Sequence, residues 1–305
     1  MDIVLRHSLY LSGEISEFDY YYAFLQLEML YVEAFSASAK EIFINLLKTR
    51  ALIANELELE DYTEYAYDGY EHDYSSDDMN ALLSDVATYA VPLYMKLYQQ
   101  VFKNYEEPSA LQNLHKNEIL NTLYTVFESA DTELFEAYCY MLQHSLYDIE
   151  SISAERYSGA FTTFFDKYNS PFIFVSTVGG ASDYFTVIHE FGHFFDSFVN
   201  NGSNGSLDLS EISSQALELL MINELSDALS GNYSDFLLIY QMESFLNTII
   251  TQGFYSMVEH EIYELEYESI SQSAIEQIVA DCAEKFGFPE GSFSFNDIVS
   301  IPHIV

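Results

Sequence analysis

The segment from residue 189 to residue 193 combines residue types that can bind a metal ion and hydrolyse a peptide bond. Its sequence is His189-Glu190-Phe191-Gly192-His193, an HExxH motif. Residues four positions apart lie on one face of a helix, so the two imidazoles can bind one ion together. Glu190 projects beside that face, where it can take a proton from a metal-bound water and later pass it to the leaving amine. The motif therefore predicts the chemistry of peptide hydrolysis.

A third protein ligand is expected on a neighbouring element, because a catalytic zinc takes three protein ligands and leaves one position open. The next predicted helix carries Glu211 and Glu218, two carboxylates seven residues apart on one face. Glu211 lies at the N-terminal end of that helix and is the better placed. Two imidazoles and one carboxylate favour Zn2+, one ion per chain, although cobalt or manganese could substitute.

Short β-strands are predicted immediately before this motif. Residues 156–165 (RYSGAFTTFF) and 171–180 (PFIFVSTVGG) combine β-branched and aromatic residues with Gly and Pro. Ser182 is the predicted N-cap of the metal helix. The segment 200–208 (NNGSNGSLD) predicts a loop, and residues 209–229 return to helical periodicity.

Most of the remaining chain predicts helix, because apolar residues recur at three- and four-residue spacing and the sequence has only 5 Pro and 12 Gly. We expect long helical segments from about 15 to 58 and two further helices over 109–128 and 131–148. Ser75 or Ser76, followed by Asp78, marks the start of another helix.

These elements predict a mainly α fold with a small β-sheet beside the zinc helix. We expect two domains: a helical lobe over residues 1–150 and a zinc-binding catalytic core over residues 151–305.

Net charge restricts the partners. The sequence has 49 acidic and 10 basic residues, a formal net charge of −39, and no Lys or Arg lies between Lys167 and Lys285. Nucleic acid is excluded, because nothing here neutralises phosphates. Such a field attracts divalent cations and cationic peptides, and a role in solubility alone fits the same acidity.

The expected location is the cytoplasm. Cys139 and Cys282 are the only cysteines, too few for a disulfide framework, which favours a reducing compartment. The N-terminus lacks the pattern of a signal peptide, and no apolar run reaches about 18 residues, so we expect no membrane association.

The sequence resembles peptidase family M3, the group of oligoendopeptidase F and thimet oligopeptidase. Beyond HEFGH, the resemblance rests on Arg156-Tyr-Ser-Gly-Ala-Phe, Pro171-Phe-Ile-Phe, Ser182-Asp-Tyr-Phe-Thr-Val-Ile, Glu211-x-x-Ser-x-x-x-Glu218 and Thr251-Gln-Gly-Phe-Tyr-Ser-Met-Val-Glu259. The resemblance implies a zincin-type metallopeptidase catalytic domain and a zinc-dependent metalloendopeptidase. It implies oligopeptides as substrates rather than folded proteins, and the acidic charge favours cationic or neutral ones. The resemblance also implies that the helical lobe is only partial and that the catalytic core is truncated at its C-terminus.

Carried over residue by residue, the resemblance makes His189, His193 and Glu211 the zinc ligands and Glu190 the general base. Glu218 matches a position that we assign to orienting a ligating histidine. An ordinary charge on a helix face fits the spacing of Glu218 equally well.

Two further predictions concern the site, the first from the resemblance and the second from the position of a strand just before the zinc helix. Ser300-Ile-Pro-His303 is similar to the family segment whose His helps to stabilise the tetrahedral intermediate together with tyrosines further on, and those tyrosines are missing before the end at Val305. The strand that ends at Gly179 and Gly180 is predicted to bind substrate backbone by strand addition.

Two alternatives remain. The chain could be a catalytically impaired zinc-binding fragment that needs a missing C-terminal segment. It could also be an acidic helical interaction protein with a coincidental HExxH, which predicts no loss of stability on chelation. Cleavage specificity, endo- or exopeptidase action and oligomeric state stay open.

Overall fold

The computed structural model describes residues 17–70, 72–153, 155–202, 207–229 and 231–300. Within these ranges the chain is mainly helical. The helices are α1 (Glu17–Glu56), α2 (Tyr62–Gly69), α3 (Ser76–Asp85), α4 (Val91–Gln100), α5 (Lys116–Ala130), α6 (Thr132–Gln143), α7 (Ser182–Val199), α8 (Leu207–Leu220), α9 (Ile222–Ala228), α10 (Ser234–Tyr263), α11 (Gln272–Lys285) and α12 (Phe295–Ser300). The strands are β1 (Tyr147–Ser151), β2 (Ala160–Phe165) and β3 (Ser170–Thr177).

The chain divides into two compact units. One combines the residues up to Asp68 with Tyr74–Ala87 and the residues from Gln252 onward. The other combines Gly69–Asp73 with Thr88–Thr251 and contains the HExxH motif. Both units draw on segments that are separated along the sequence, and the expected division near residue 150 stays a prediction.

The three strands form one sheet in the order β1-β3-β2. The central strand β3 pairs in parallel with β1, where Ile149 is opposite Val175, and antiparallel with β2, where Thr162 is opposite Ile173. Ile149, Ile173 and Val175 are almost completely buried. The predicted mainly α fold with a small sheet is confirmed.

The predicted end of the helix over 131–148 was wrong. Helix α6 stops at Gln143, because Ser145 adopts a left-handed backbone conformation (φ 53°) and the Leu146 amide donates to the carbonyl of Met141. The chain then enters β1, whose sequence Tyr-Asp-Ile-Glu-Ser alternates apolar and polar residues as a half-buried strand does. The prediction missed this strand because it follows a helical pattern directly, and the helix was extended through residue 148.

The predicted helix start at Ser75 is confirmed. Ser75 is the N-cap of α3: its hydroxyl accepts a hydrogen bond from the Asp78 amide at 3.2 Å, and the Asp78 carboxylate accepts one from the Ser75 amide at 3.0 Å. This capping box satisfies two amides that the helix itself leaves unpaired. After α3, a π-helical turn over Val86–Ala90 leads into α4.

The apolar face of α7 forms the core of the second unit. Phe191 packs against Phe127 of α5 at a ring-centroid distance of 4.5 Å and against Tyr138 of α6 at 5.3 Å. All three rings are inaccessible to solvent, and burial of each stabilises the fold by roughly 1.5–3 kcal/mol. This packing fixes the rotation of α7, so His189 and His193 remain partly exposed on the neighbouring face.

The first unit contains a buried histidine of a different kind, His260 of α10. Its Nδ1 lies 2.7 Å from the carbonyl oxygen of Ser256, and its Nε2 lies 2.7 Å from the hydroxyl of Tyr67. Because Nδ1 must donate to the carbonyl, Nε2 accepts a hydrogen bond from the Tyr67 hydroxyl. Both ring nitrogens of a neutral imidazole are thereby satisfied.

In the described ranges no helix is both long and apolar enough to span a membrane. Cys139 and Cys282 form no disulfide with each other, and burial raises the pKa of the Cys282 thiol to about 12.

Candidate metal centre

The structure brings together the donor atoms of His189, His193 and Glu211. Nε2 of His189 lies 3.2 Å from Nε2 of His193 and 3.2 Å from Oε2 of Glu211. Nε2 of His193 lies 3.6 Å from Oε1 of Glu211. Among the described residues, these three form the only group of histidine, cysteine or acidic side chains with donor atoms close enough to hold one metal ion.

The spacing of these donor atoms fits zinc. Zinc binds nitrogen and oxygen at about 2.0–2.2 Å in tetrahedral geometry, which places two ligand atoms about 3.3–3.6 Å apart. Two imidazoles and one carboxylate are also the ligand types of catalytic zinc sites with one open position. The donor set therefore fits Zn2+ in both distance and chemistry.

Gly192 allows α8 to approach α7 closely enough for Glu211 to reach both histidines. A Cβ atom at residue 192 would lie 2.6 Å from the Cα of Ser214, closer than real contacts allow. Ser214 lies three residues after Glu211 on α8, and its hydroxyl lies 3.1 Å from Oε2 of Glu211. The close packing of α8 that brings Glu211 to the two histidines therefore requires glycine at position 192.

Glu190 is buried next to the donor cluster, with 6% of its surface exposed. The hydroxyl of Thr162, on β2, lies 2.7 Å from Oε2 of Glu190 and 2.8 Å from its backbone oxygen. Burial raises the pKa of the Glu190 carboxyl, and the hydrogen bond from Thr162 opposes part of that rise. A carboxyl in this environment is a stronger base than an exposed glutamate.

Glu218 orients His189 from the opposite side of the ring. Nδ1 of His189 donates to Oε1 of Glu218 at 2.7 Å, and the side-chain amide of Gln241 donates to Oε2 of Glu218. Gln241 belongs to α10 and is 1% exposed. This chain of contacts fixes the His189 ring so that Nε2 faces the donor cluster.

The charges of the carboxylates control the protonation of this site. Burial lowers the pKa of His189, but hydrogen bonds to Glu211 and Glu218 outweigh burial and raise the pKa to about 10. The same contacts, with those from His193, hold the pKa of Glu211 well below its usual range. Without a metal, His189 is therefore an imidazolium held between two carboxylates at neutral pH.

The start of α7 differs from the predicted Ser182 cap. Ala181 occupies the N-cap position. The buried carboxylate of Asp183 accepts hydrogen bonds from the amides of Val178 and Gly179 at 2.9 and 2.7 Å. Glu107 accepts one from the Ala181 amide at 2.5 Å. Two carboxylates thus bind the amides before and at the helix start, which is electrostatically favourable there.

Strand addition to β3 was a wrong prediction. This strand is central, and both of its edges are already paired with β1 and β2. Gly179 also uses both of its backbone groups, because its amide donates to Asp183 and its carbonyl accepts from the Leu114 amide at 3.1 Å. A substrate contact at Gly179 or Gly180 by another route stays a prediction.

His303 lies outside the described residues. Thr162 and Gln241 were not identified from the sequence. Thr162 is one of many polar residues on short strands, and Gln241 is 23 residues from Glu218. No motif indicated either contact, and only a sequence-based model of the tertiary packing could have found them.

Comparison with known proteins links the chain to one peptidase family. The model of peptidase family M3 matches residues 116–304, which include the whole candidate centre. No curated protein sequence matches the chain significantly.

Solved structures of M3-type peptidases have a similar fold. A structure assigned as oligoendopeptidase F aligns with a TM-score of 0.74 and 18% identity over 87% of this chain and 50% of that chain. Pz peptidase A with an inhibitor aligns with a TM-score of 0.73 and 19% identity over 88% of this chain and 51% of that one. A protein assigned as oligoendopeptidase F from Bacillus anthracis str. Ames aligns with a TM-score of 0.69 and 19% identity over 92% of this chain and 53% of that chain.

This chain therefore spans about half the length of the solved chains that it resembles. The family match covers well over half of this chain and coincides with the elements that hold the donor cluster. The chain accordingly belongs to peptidase family M3, a family of metallopeptidases.

Proposed function

We propose that this chain binds one zinc ion and hydrolyses peptide bonds in oligopeptides. The observation that supports the proposal is the donor cluster of His189, His193 and Glu211 with the buried carboxylate of Glu190 beside it. The assignment of oligopeptides as substrates follows from the similarity to proteins assigned as oligoendopeptidase F.

In this proposal, His189, His193 and Glu211 hold the zinc, and Glu218 with Gln241 keeps the His189 ring in place. Zinc held by these residues supplies a Lewis acid that polarises a peptide carbonyl and activates water. Because His189 carries a second proton in the free protein, it gives up the proton on Nε2 when it becomes a ligand.

Glu190 acts as the general base and then as the general acid. The Thr162 hydroxyl donates to Oε2 of Glu190, and Oε1 has no hydrogen-bond partner among the described residues. Oε1 takes a proton from the attacking water and passes it to the nitrogen of the leaving amine, which restores the carboxylate. Its raised pKa favours the first transfer.

Hydrolysis of quenched fluorescent oligopeptides by the purified chain tests this proposal. We expect cleavage with zinc, loss of cleavage with a chelator, and a loss of at least about a thousandfold in Glu190→Gln. Glu136→Gln is the matched control, because Glu136 is an exposed glutamate on α6 in the same unit. Equal activity in Glu190→Gln and Glu136→Gln would show that another group carries the chemistry.

A second candidate is a zinc-binding chain with little activity of its own. The observation that favours it is the coverage of only about half of each solved relative. It predicts one tightly bound zinc per chain by metal analysis, together with no chelator-sensitive cleavage in the same assay.

A further inference from the structure

The unit that holds the metal centre also contains a cavity of about 500 Å³. Its walls come from the segment before α5, from the turn between β3 and α7, and from the first turns of α10. This volume is within the range of about 300–1,000 Å³ found for ligand-binding pockets.

Both charged side chains that line the cavity are carboxylates, Glu107 and Glu243. Oε1 of Glu107 is held by the Ala181 amide. Among the described residues, Oε2 of Glu107 and the carboxylate of Glu243 have no hydrogen-bond or ion-pair partner. No Lys, Arg or His lines the cavity, so nothing there compensates these charges.

Aromatic rings form one wall of the same cavity. Tyr105 stacks on Phe236 with a centroid distance of 5.8 Å and an interplanar angle of 12°. Phe236 lies 6.2 Å from Tyr240 in turn. Aromatic faces next to carboxylates are the surroundings that bind ammonium and guanidinium groups, because the ring faces and the carboxylates are both negative.

A metal ion fits this cavity poorly, because Glu107 and Glu243 belong to no group of three donors close enough to hold one. An anionic group would meet two carboxylates without a compensating cation. An organic cation satisfies the carboxylates and contacts the rings at once.

The cavity is close to the candidate metal centre. Ser182 lines the cavity and begins α7, seven residues before His189, which is about 10 Å along a helix axis. Tyr240 precedes Gln241, which is bonded to Glu218. An extended peptide spans about 10 Å with roughly three residues.

We propose that this cavity binds the cationic group of a peptide, either its α-ammonium or a basic side chain, about three residues from the bond at the metal centre. This assignment rests on the proposed peptidase function for its ligand, a peptide. It makes Glu243 a specificity-determining residue that does not contact the reacting atoms.

Binding of matched peptides tests the proposal by isothermal titration calorimetry. The protein is the full chain with zinc and with Glu190→Gln, which prevents turnover, and each titration is repeated with a chelator. The probes are four pentapeptides that share the same apolar residues at positions two to five. Two begin with an apolar residue, one with a free amino terminus and one acetylated; the other two are acetylated and begin with arginine or its uncharged analogue citrulline. The first pair reports on the α-ammonium and the second on the side chain.

We expect at least one charged peptide to bind about tenfold more tightly than its neutral partner. The added substitution Glu243→Gln should reduce this ratio at least threefold, and Glu136→Gln should leave it unchanged. Equal binding of charged and neutral peptides, or an unchanged ratio in Glu243→Gln, overturns the proposal. The two proposals can fail separately. If the wild type cleaves no peptide, the proposed peptidase function is rejected; if the preference for charged peptides persists in the presence of chelator, the cavity assignment is still supported.

Discussion

His189 in the second unit and His260 in the first show how different surroundings give two helical histidines different chemistry. His260 is 4% exposed, and its partners are a backbone carbonyl and a tyrosine hydroxyl. His189 is partly exposed, and its partners are the carboxylates of Glu218 and Glu211.

The neutral partners of His260 satisfy a neutral ring completely and leave no lone pair for a metal. The carboxylates around His189 instead favour positive charge, which a proton supplies in the metal-free protein and a metal ion would supply in the proposed site. The identity of the partner at each ring nitrogen, more than burial, therefore separates a histidine that can bind a metal from a structural histidine.

The largest expected effect is on metal-dependent stability. Zinc at about 100 times its dissociation constant should stabilise the wild type by about 2.7 kcal/mol, because it binds only the folded state. His189→Ala should abolish this gain. His260→Ala should lower the basal stability by about 2–4 kcal/mol through the cavity and the unpaired groups that it leaves, but retain the gain from zinc. Thermal melting with and without zinc measures both. Loss of the zinc effect in His260→Ala would contradict the distinction.

The second test uses two helical glycines. Gly192→Ala should separate α7 from α8 and weaken zinc binding by about a hundredfold or more, because the new Cβ meets backbone. At Gly253, on α10, the new Cβ would meet only the side chains of Phe286 and Val86, at 3.3 Å. Gly253→Ala should therefore change zinc affinity by less than about twofold, since small side-chain shifts accommodate it. Competition with a chromophoric chelator gives both affinities, and equal losses would argue against backbone contact as the cause.

The third test compares the residues that hold the two rings. Gln241→Leu should weaken zinc binding about tenfold, because Glu218 loses the amide that fixes it. Tyr67→Phe removes the hydroxyl next to His260 and should reduce stability by about 1–2 kcal/mol without affecting zinc affinity. Chelator competition and urea unfolding separate these outcomes. Unchanged zinc affinity in Gln241→Leu would exclude Gln241 from the support of the site.

The smallest expected effect is on the pH dependence of stability and on the number of protons released when zinc binds. His189 has a raised pKa of about 10 in the folded, metal-free protein, so its contribution to stability is complete below the unfolded value of about 6.5 and is lost as pH rises through 10. Zinc affinity should rise over the same window, and zinc binding at pH 7 should release about one proton from His189. Calorimetry in buffers of different ionisation enthalpy counts this proton. Glu218→Gln should reduce the release, and no release in the wild type would contradict a protonated His189.

The local sequence pattern was sufficient to predict the donor residues that lie on α7 and on the next helix, α8. The spacing of His189 and His193 follows from helical geometry alone, and Glu211 lies near the N-terminal end of the next helix. The start of α3 was equally accessible, since Ser75 and Asp78 are three residues apart and satisfy each other.

Tertiary packing decided the remaining features. Asp183 caps the turn before α7 because the turn folds back over it, which a Ser182 cap predicted from local preference misses. Strand β1 pairs in parallel with β3, and its five alternating residues are too few to be separated from the end of the preceding helical pattern by periodicity alone. The pairing of Glu218 with Gln241 depends on how α10 packs beside α8.

The buried Asp183 has a consequence for the order in which the protein folds. Its two hydrogen bonds join residues four and five positions apart, and HExxH begins six residues later. Contacts this short lose little chain entropy when they form. We therefore expect the turn and the first part of α7 to form early, with both histidines on one face. Glu211 and Gln241, at sequence separations of about 20 residues from their partners, would then join a helix already in place.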